Sequence, residues 1–163
     1  MYIPLSRFKI ISKFIVIYMK RFSMLAAVAC LLLMTASCGK KQVDKTQLPQ
    51  AITSFIQENF PGQEVTFIEE EKEFFDTKYD VTLANGVKLD FDGKNEWDKI
   101  NTNPNPVPSK FVPEAIATHA KQQYPNETIV KINKKDYGYK IKLSNDLELK
   151  YTKDGEFKGI DEQ

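Results

Sequence analysis

Few residues of this 163-residue chain belong to the types that carry nucleophilic or metal chemistry. His119 is the only histidine, and the two cysteines, Cys30 and Cys38, both lie near the N-terminus. A catalytic nucleophile needs a base within hydrogen-bond reach and a group to orient that base, and a zinc site needs several converging ligands. A lone histidine offers no such partners, and because it matches Phe55 of an upstream helix it is expected to be a packing or boundary residue. Asp90-Phe91-Asp92-Gly93-Lys94-Asn95-Glu96 has the beginning of a calcium loop but lacks the further ligands and the closing bidentate glutamate. Thr152-Lys153-Asp154-Gly155-Glu156 recurs at the corresponding place, so an Asp-Gly turn between strands accounts for both. Gly-rich phosphate loops, HExxH and GxSxG are absent from the sequence. The expectation is a protein that is not an enzyme, with no catalytic, cofactor-binding or metal-ligating residues.

Cys38 invites a different chemistry. Lys20 and Arg21 precede an uncharged stretch whose apolar part, Met24 to Met34, is 11 residues long. A membrane-spanning helix needs roughly 20 residues, so this run fits the hydrophobic region of a signal peptide. It closes on Thr35-Ala36-Ser37-Cys38-Gly39. Small residues directly before a cysteine resemble a bacterial lipobox, in which the cysteine is acylated and becomes the mature N-terminus. Thr35 stands where such motifs often carry leucine. Met19 is the expected true start, with residues 1–38 forming the signal peptide and lipobox. The alternatives are a long basic leader and an N-terminal anchor that is never cleaved. Gly39 to Gln47 is polar and reads as a tether. The expected address is the periplasm or the outer membrane, reached by export, with the membrane engaged through the lipid anchor alone.

The formal net charge of +1 combines two unlike regions. Residues 1–37 hold five basic residues and no acidic one, and the remainder holds 18 Lys/Arg against 22 Asp/Glu, a net charge of −4. A mildly acidic body lacks the basic patch that supplies affinity for phosphate backbones, so nucleic acid is not an expected partner.

The elements that would position any contact surface recur along the chain. Residues 48–68 and 112–132 correspond at an offset of 64: Pro49 matches Pro113, Ile52 matches Ile116, and Phe60-Pro61 matches Tyr124-Pro125. Residues 79–91 and 139–151 correspond at an offset of 60, the first stretch having four extra residues between Ile68 and Tyr79. Each stretch predicts an amphipathic helix, with Ile52, Phe55, Ile56 and Phe60 on one side of the first, opened by proline and stopped by Pro-Gly or Pro-Asn. Period-two alternation follows. Tyr79, Val81 and Leu83 share one face, Val87, Leu89 and Phe91 share it after the turn, and parity sets a three-residue loop, Ala84-Asn85-Gly86, with Gly86 in the left-handed region. Ser144-Asn145-Asp146 should do the same less stably, since aspartate tolerates that conformation less well. Val65 and Ile68, three apart, require a bulge or a helical entry.

The expected fold class is α+β: two tandem repeats, each one helix packed on a roughly four-stranded antiparallel sheet. The first repeat spans 48–101, a Pro-rich segment 102–110 links it to the second, and the second spans 111–163. Units this small bury little surface alone, so the two should pack together, as one continuous sheet or edge to edge.

An aromatic followed by a helix-stopping proline, then Tyr-x-Val/Ile-x-Leu, a turn and an aliphatic-x-aliphatic-x-aromatic strand resemble the PepSY-like proteins related in fold to β-lactamase-inhibitory protein. The likeness runs from about Leu48 to the C-terminus. It implies tandem α-β4 units forming a curved sheet in an exported lipoprotein, with protein binding or peptidase inhibition as associated roles. No inhibitory contact motif carries over to this sequence, so inhibition of a β-lactamase is not expected.

Candidate partner contacts follow from exposure and charge. Glu69 to Asp76 places Phe74 and Phe75 among acids, either as a solvated hairpin with one core phenylalanine or as an aromatic anchor in a protein contact. On the sheet side away from the helices, Asp80, Thr82, Lys88 and Asp90 face solvent in the first stretch and Lys140, Lys142, Glu148 and Lys150 in the second. The expected function is a lipid-anchored module that binds an unknown protein or peptide through this face and its loops, the alternative being a structural or assembly lipoprotein of the envelope.

Overall fold

The computed structural model describes residues 39–73 and 75–161. Its elements in order are β1 (Lys40–Gln42), a 3-10 turn (Lys45–Gln47), α1 (Gln50–Asn59), β2 (Val65–Lys72), β3 (Thr77–Leu83), β4 (Lys88–Phe91), β5 (Trp97–Asn101), a second 3-10 turn (Ser109–Phe111), α2 (Glu114–Gln123), β6 (Ile129–Lys135), β7 (Gly138–Leu143), β8 (Glu148–Thr152) and β9 (Phe157–Ile160).

The two helices form where apolar residues recur at helical spacing. Pro49 and Pro113 occupy the N-cap positions, where a missing N–H breaks no helical hydrogen bond. Each helix ends at an aromatic whose amide still bonds back, Phe60 to the Ile56 carbonyl and Tyr124 to the Ala120 carbonyl, both at 2.8 Å. Gly62, at φ 75°, then turns the chain out of α1.

The β-strands follow one another as a meander. All nine lie in a single antiparallel sheet in the order β1 to β9. This corrects the expected fold class: the helices do not each sit on a separate four-stranded sheet. The overturning contact is β5 with β6, which pairs Lys99 with Asn133, Ile100 with Ile132 and Asn101 with Lys131. Its physical reason is edge protection. Left apart, β5 and β6 would each present unpaired backbone groups and an apolar isoleucine to water; paired, they bury both isoleucines completely.

The ninth strand, β1, comes from the segment directly after Cys38. It pairs with β2 over three residues, Lys40 with Glu71, Lys41 with Glu70 and Gln42 with Glu69. Asp44 then caps the first 3-10 turn by accepting from the Thr46 amide, while the Gln47 side chain accepts from the Asp44 amide. The Pro-rich segment after β5 folds back on β6. Thr102 is buried, its amide donates to the Val130 carbonyl and its hydroxyl to the Asn105 carbonyl, and the Val107 amide donates to Ile129.

Both hairpin loops close as parity requires. The Leu83 amide donates to the Val87 carbonyl and Gly86 lies at φ 85°; the Leu143 amide donates to the Leu147 carbonyl and Asp146 lies at φ 70°. The three-residue spacing of Val65 and Ile68 is accommodated by a register shift between Val65 and Phe67, repeated between Ile129 and Lys131. An extra residue in the strand lets both apolar side chains of each pair face the same way.

One apolar row therefore crosses the sheet: Ile68, Val81, Leu89, Ile100, Ile132, Ile141, Leu149 and Ile160 are successive register partners. Ile52 and Ile56 of α1 and Ile116 and Ala120 of α2 belong to the same continuous core. Aromatics fill the flank under α1, where Phe55 meets Phe91 edge-on at 5.4 Å and Phe60 stacks on Phe111 at 6.2 Å.

Candidate binding face and family

Side chains alternate across a strand, so the residues one place along from the apolar row point to the opposite side. They too form a row of register partners: Glu69, Asp80, Asp90, Lys99, Asn133, Lys140 and Lys150. A neighbouring row holds Thr82, Lys88, Asn101, Lys131, Lys142 and Glu148. Of the residues singled out in the sequence, Asp80, Asp90, Lys140 and Lys150 thus meet in one line, with Lys88 and Lys142 in the line beside it. In the first line the acids lie on β2 to β4 and the lysines on β5, β7 and β8, with Asn133 on β6 between them; the second line places Lys88 on β4 and Glu148 on β8.

The charges are paired across strands. Lys40 Nζ lies 2.5 Å from Asp80, and Lys99 forms an ion pair with Asp90. Burial pushes the Asp90 carboxyl above its ordinary range, against the pull of Lys99. On the other side, Glu148 is only 5% exposed and lies between two ammonium groups, 2.6 Å from Lys131 and 2.7 Å from Lys140. Lys140 also reaches Asp161 at 3.1 Å, and Lys150 reaches Asp161 at 2.5 Å. Burial alone would raise the Glu148 carboxyl, but the hydrogen bonds from Lys131 and Lys140 outweigh it and hold the group below its usual range. The hydrogen bond from Lys150, followed by that from Lys140, lowers Asp161 in the same sense. In the middle of the line, Asn133 Oδ1 is buried and accepts no hydrogen bond.

Lys99, Lys131, Asn133 and Asp161 belong to this face although the sequence reading did not single them out. Their polar alternation was visible, but their partners depend on the β5–β6 junction and on the return of the chain at Asp161. Phe75 lies apart from the face, in the turn after β2, and is 98% exposed. Phe74 and Cys38 lie outside the described residues.

The remaining chemical candidates have local explanations. His119 Nδ1 is 3.0 Å from the Tyr151 hydroxyl, and its ring stacks on Phe157 at 4.6 Å. Asp92 Oδ1 accepts from the amides of Lys94 and Glu96 at 3.0 and 2.9 Å, holding its own turn. Thr152 does the equivalent for Glu156 at 3.1 Å. Among the described residues, no group of three or more His, Cys, Asp or Glu side chains is placed to hold a metal ion.

A helix-backed antiparallel sheet with one charged open face defines the class of protein, and the chain's family agrees with it. Residues 34–78 and 77–159 match the family described as "Putative beta-lactamase-inhibitor-like, PepSY-like", and the chain belongs to that family. It is similar to a solved Bacteroides vulgatus structure described as a candidate periplasmic protein of unknown function: 36% identity, 76% of this chain and 100% of that chain covered, TM-score 0.71. A second, from Bacteroides thetaiotaomicron, is described as a candidate calcium-regulated periplasmic protein: 32% identity, 76% and 97% covered, TM-score 0.68. A third, again from Bacteroides vulgatus, is described as a candidate periplasmic protein: 35% identity, 78% and 100% covered, TM-score 0.69. A comparison with curated proteins found no match.

Proposed function

We propose that this chain is an exported, lipid-anchored binding module that recognises a protein or peptide through its open sheet face and the adjoining loops, and that it acts by binding rather than by catalysis. The observation that carries the reading is the line from Glu69 through Asp80, Asp90, Lys99 and Lys140 to Lys150, acidic on one half and basic on the other. Such a face steers a partner of complementary charge pattern and fixes its orientation. The inhibitor-like family description supports a binding role. The periplasmic descriptions of the relatives support export, as do the basic, apolar and small-residue segments before Cys38.

The test is capture from a periplasmic extract by the wild-type chain, by Asp80→Lys/Asp90→Lys and by Lys140→Glu/Lys150→Glu. Each double variant should lose its partner while keeping the wild-type circular dichroism. A partner retained equally by both folded variants would refute the reading.

A further inference from the structure

We infer that the tip of the β2–β3 hairpin, through Phe75, inserts into the lipid surface beside the anchor; this rests on acylation of Cys38. Three observations combine. First, Lys40 is the register partner of Glu71. Lys40 follows Cys38 by two residues, and the turn closed by the Glu73 amide on the Asp76 carbonyl (2.8 Å) follows Glu71 by two. Two extended residues span at most about 7 Å. An acylated Cys38 therefore holds this end of the sheet, and no other, at the headgroups.

Second, the connection is stiff. β1 makes three register pairs with β2, the Val43 amide continues them onto the Ile68 carbonyl at 3.1 Å, and Lys40 is tied to Asp80 across the sheet. The anchor does not end in a loose leash, so the hairpin tip cannot swing away from the bilayer without unzipping β1.

Third, the turn presents an aromatic where a soluble protein gains nothing from one. Phe75 is 98% exposed, far more than Phe67, Tyr137, Phe157 or Ile160. Two of the carboxylates near it are held by local pairs, Glu73 with Lys78 at 2.7 Å and Glu70 with Lys72 at 3.2 Å. A single multi-chain anchor together with one aromatic fixes orientation as well as attachment: the strands rise from the membrane and the charged face is presented sideways.

The experiment uses the full chain with its native indole removed by Trp97→Phe, purified with its anchor and reconstituted in phosphatidylcholine vesicles, carrying either Phe75→Trp or, as comparator at the far end of the same strand, Phe67→Trp. Mass spectrometry of the Cys38 peptide establishes acylation independently. The indole at position 75 should emit at shorter wavelength in vesicles than in detergent-free solution of the Cys38→Ala chain, and shallow brominated lipids should quench it; the indole at 67 should show neither effect. An acylated protein in which position 75 stays water-exposed, or in which both positions are shielded alike, overturns the inference while leaving anchoring intact. A Cys38 peptide without acyl chains overturns both.

Discussion

Ile100 of β5 and Ile132 of β6 are direct register partners, and neither has any solvent exposure. Ile160, the residue of β9 that corresponds to Ile100, is 49% exposed, because no strand lies beyond it among the described residues. The difference between these two isoleucines is the contribution of the central junction. Ile100→Ala and Ile132→Ala should each cost about 2–5 kcal/mol, the range for truncating a buried aliphatic side chain, whereas Ile160→Ala should cost under about 1 kcal/mol. Urea titrations followed by circular dichroism measure all three. The wild-type transition should be single, because one core serves the whole sheet, and residues 111–163 expressed alone should not fold.

Glu148 governs the acid limb of stability. Its folded-state carboxyl lies below the ordinary value, so the unfolded chain binds a proton before the folded chain does. The stability it contributes is present above the usual glutamate range and is lost as pH falls through its lowered folded value. Glu148→Gln should flatten this acid limb. Glu148→Ala, which leaves Lys131 and Lys140 facing each other, should cost about 1.5–3 kcal/mol at neutral pH. Denaturant midpoints measured at several pH values check both.

Tyr151 governs the alkaline limb. Burial, with a smaller contribution from Tyr124, pushes its phenol up to about 12. An unfolded tyrosine ionises near 10, so between these values the unfolded chain has released a proton that the folded chain keeps. Stability from this group is complete below about pH 10 and disappears as pH rises toward 12. Tyr151→Phe should remove that dependence. It should also cost about 0.5–1.5 kcal/mol at neutral pH, because His119 Nδ1 loses its partner. Ultraviolet absorbance of tyrosinate, followed together with unfolding, reads both effects.

Asp146 holds a left-handed conformation at φ 70°, where Gly86 stands at φ 85° in the corresponding hairpin. Its carboxylate is exposed and pairs with Lys142 at 2.7 Å, a surface contact of small value. Asp146→Gly should therefore stabilise the protein by about 0.5–1 kcal/mol, seen as a higher thermal midpoint. Gly138→Ala should do the opposite and far more strongly. Its backbone lies at φ 140°, and an added Cβ would fall 2.3 Å from the Tyr151 carbonyl oxygen, inside the β7–β8 pairing.

Much of the local structure was legible. Helix limits, the two hairpin loops and the bulges follow from proline placement, parity and spacing, because each depends on residues a few positions apart. The separation of an apolar row from a charged one is a consequence of period two and needs no tertiary information. Lys99 and Asn133 show where legibility ended: each looks like an ordinary polar strand residue until β5 meets β6.

The sequence by itself determined which residues would turn inward, where each strand would reverse, and that a cysteine preceded by small residues would stand ahead of a folded body. Only the tertiary structure decided that the described residues would form one sheet of nine strands, that the segment after Cys38 would become its first strand, and that Glu148 would sit between two lysines. The reason is that alternation along a strand is a property of neighbouring residues, whereas which edge a strand meets depends on how distant surfaces are jointly removed from water.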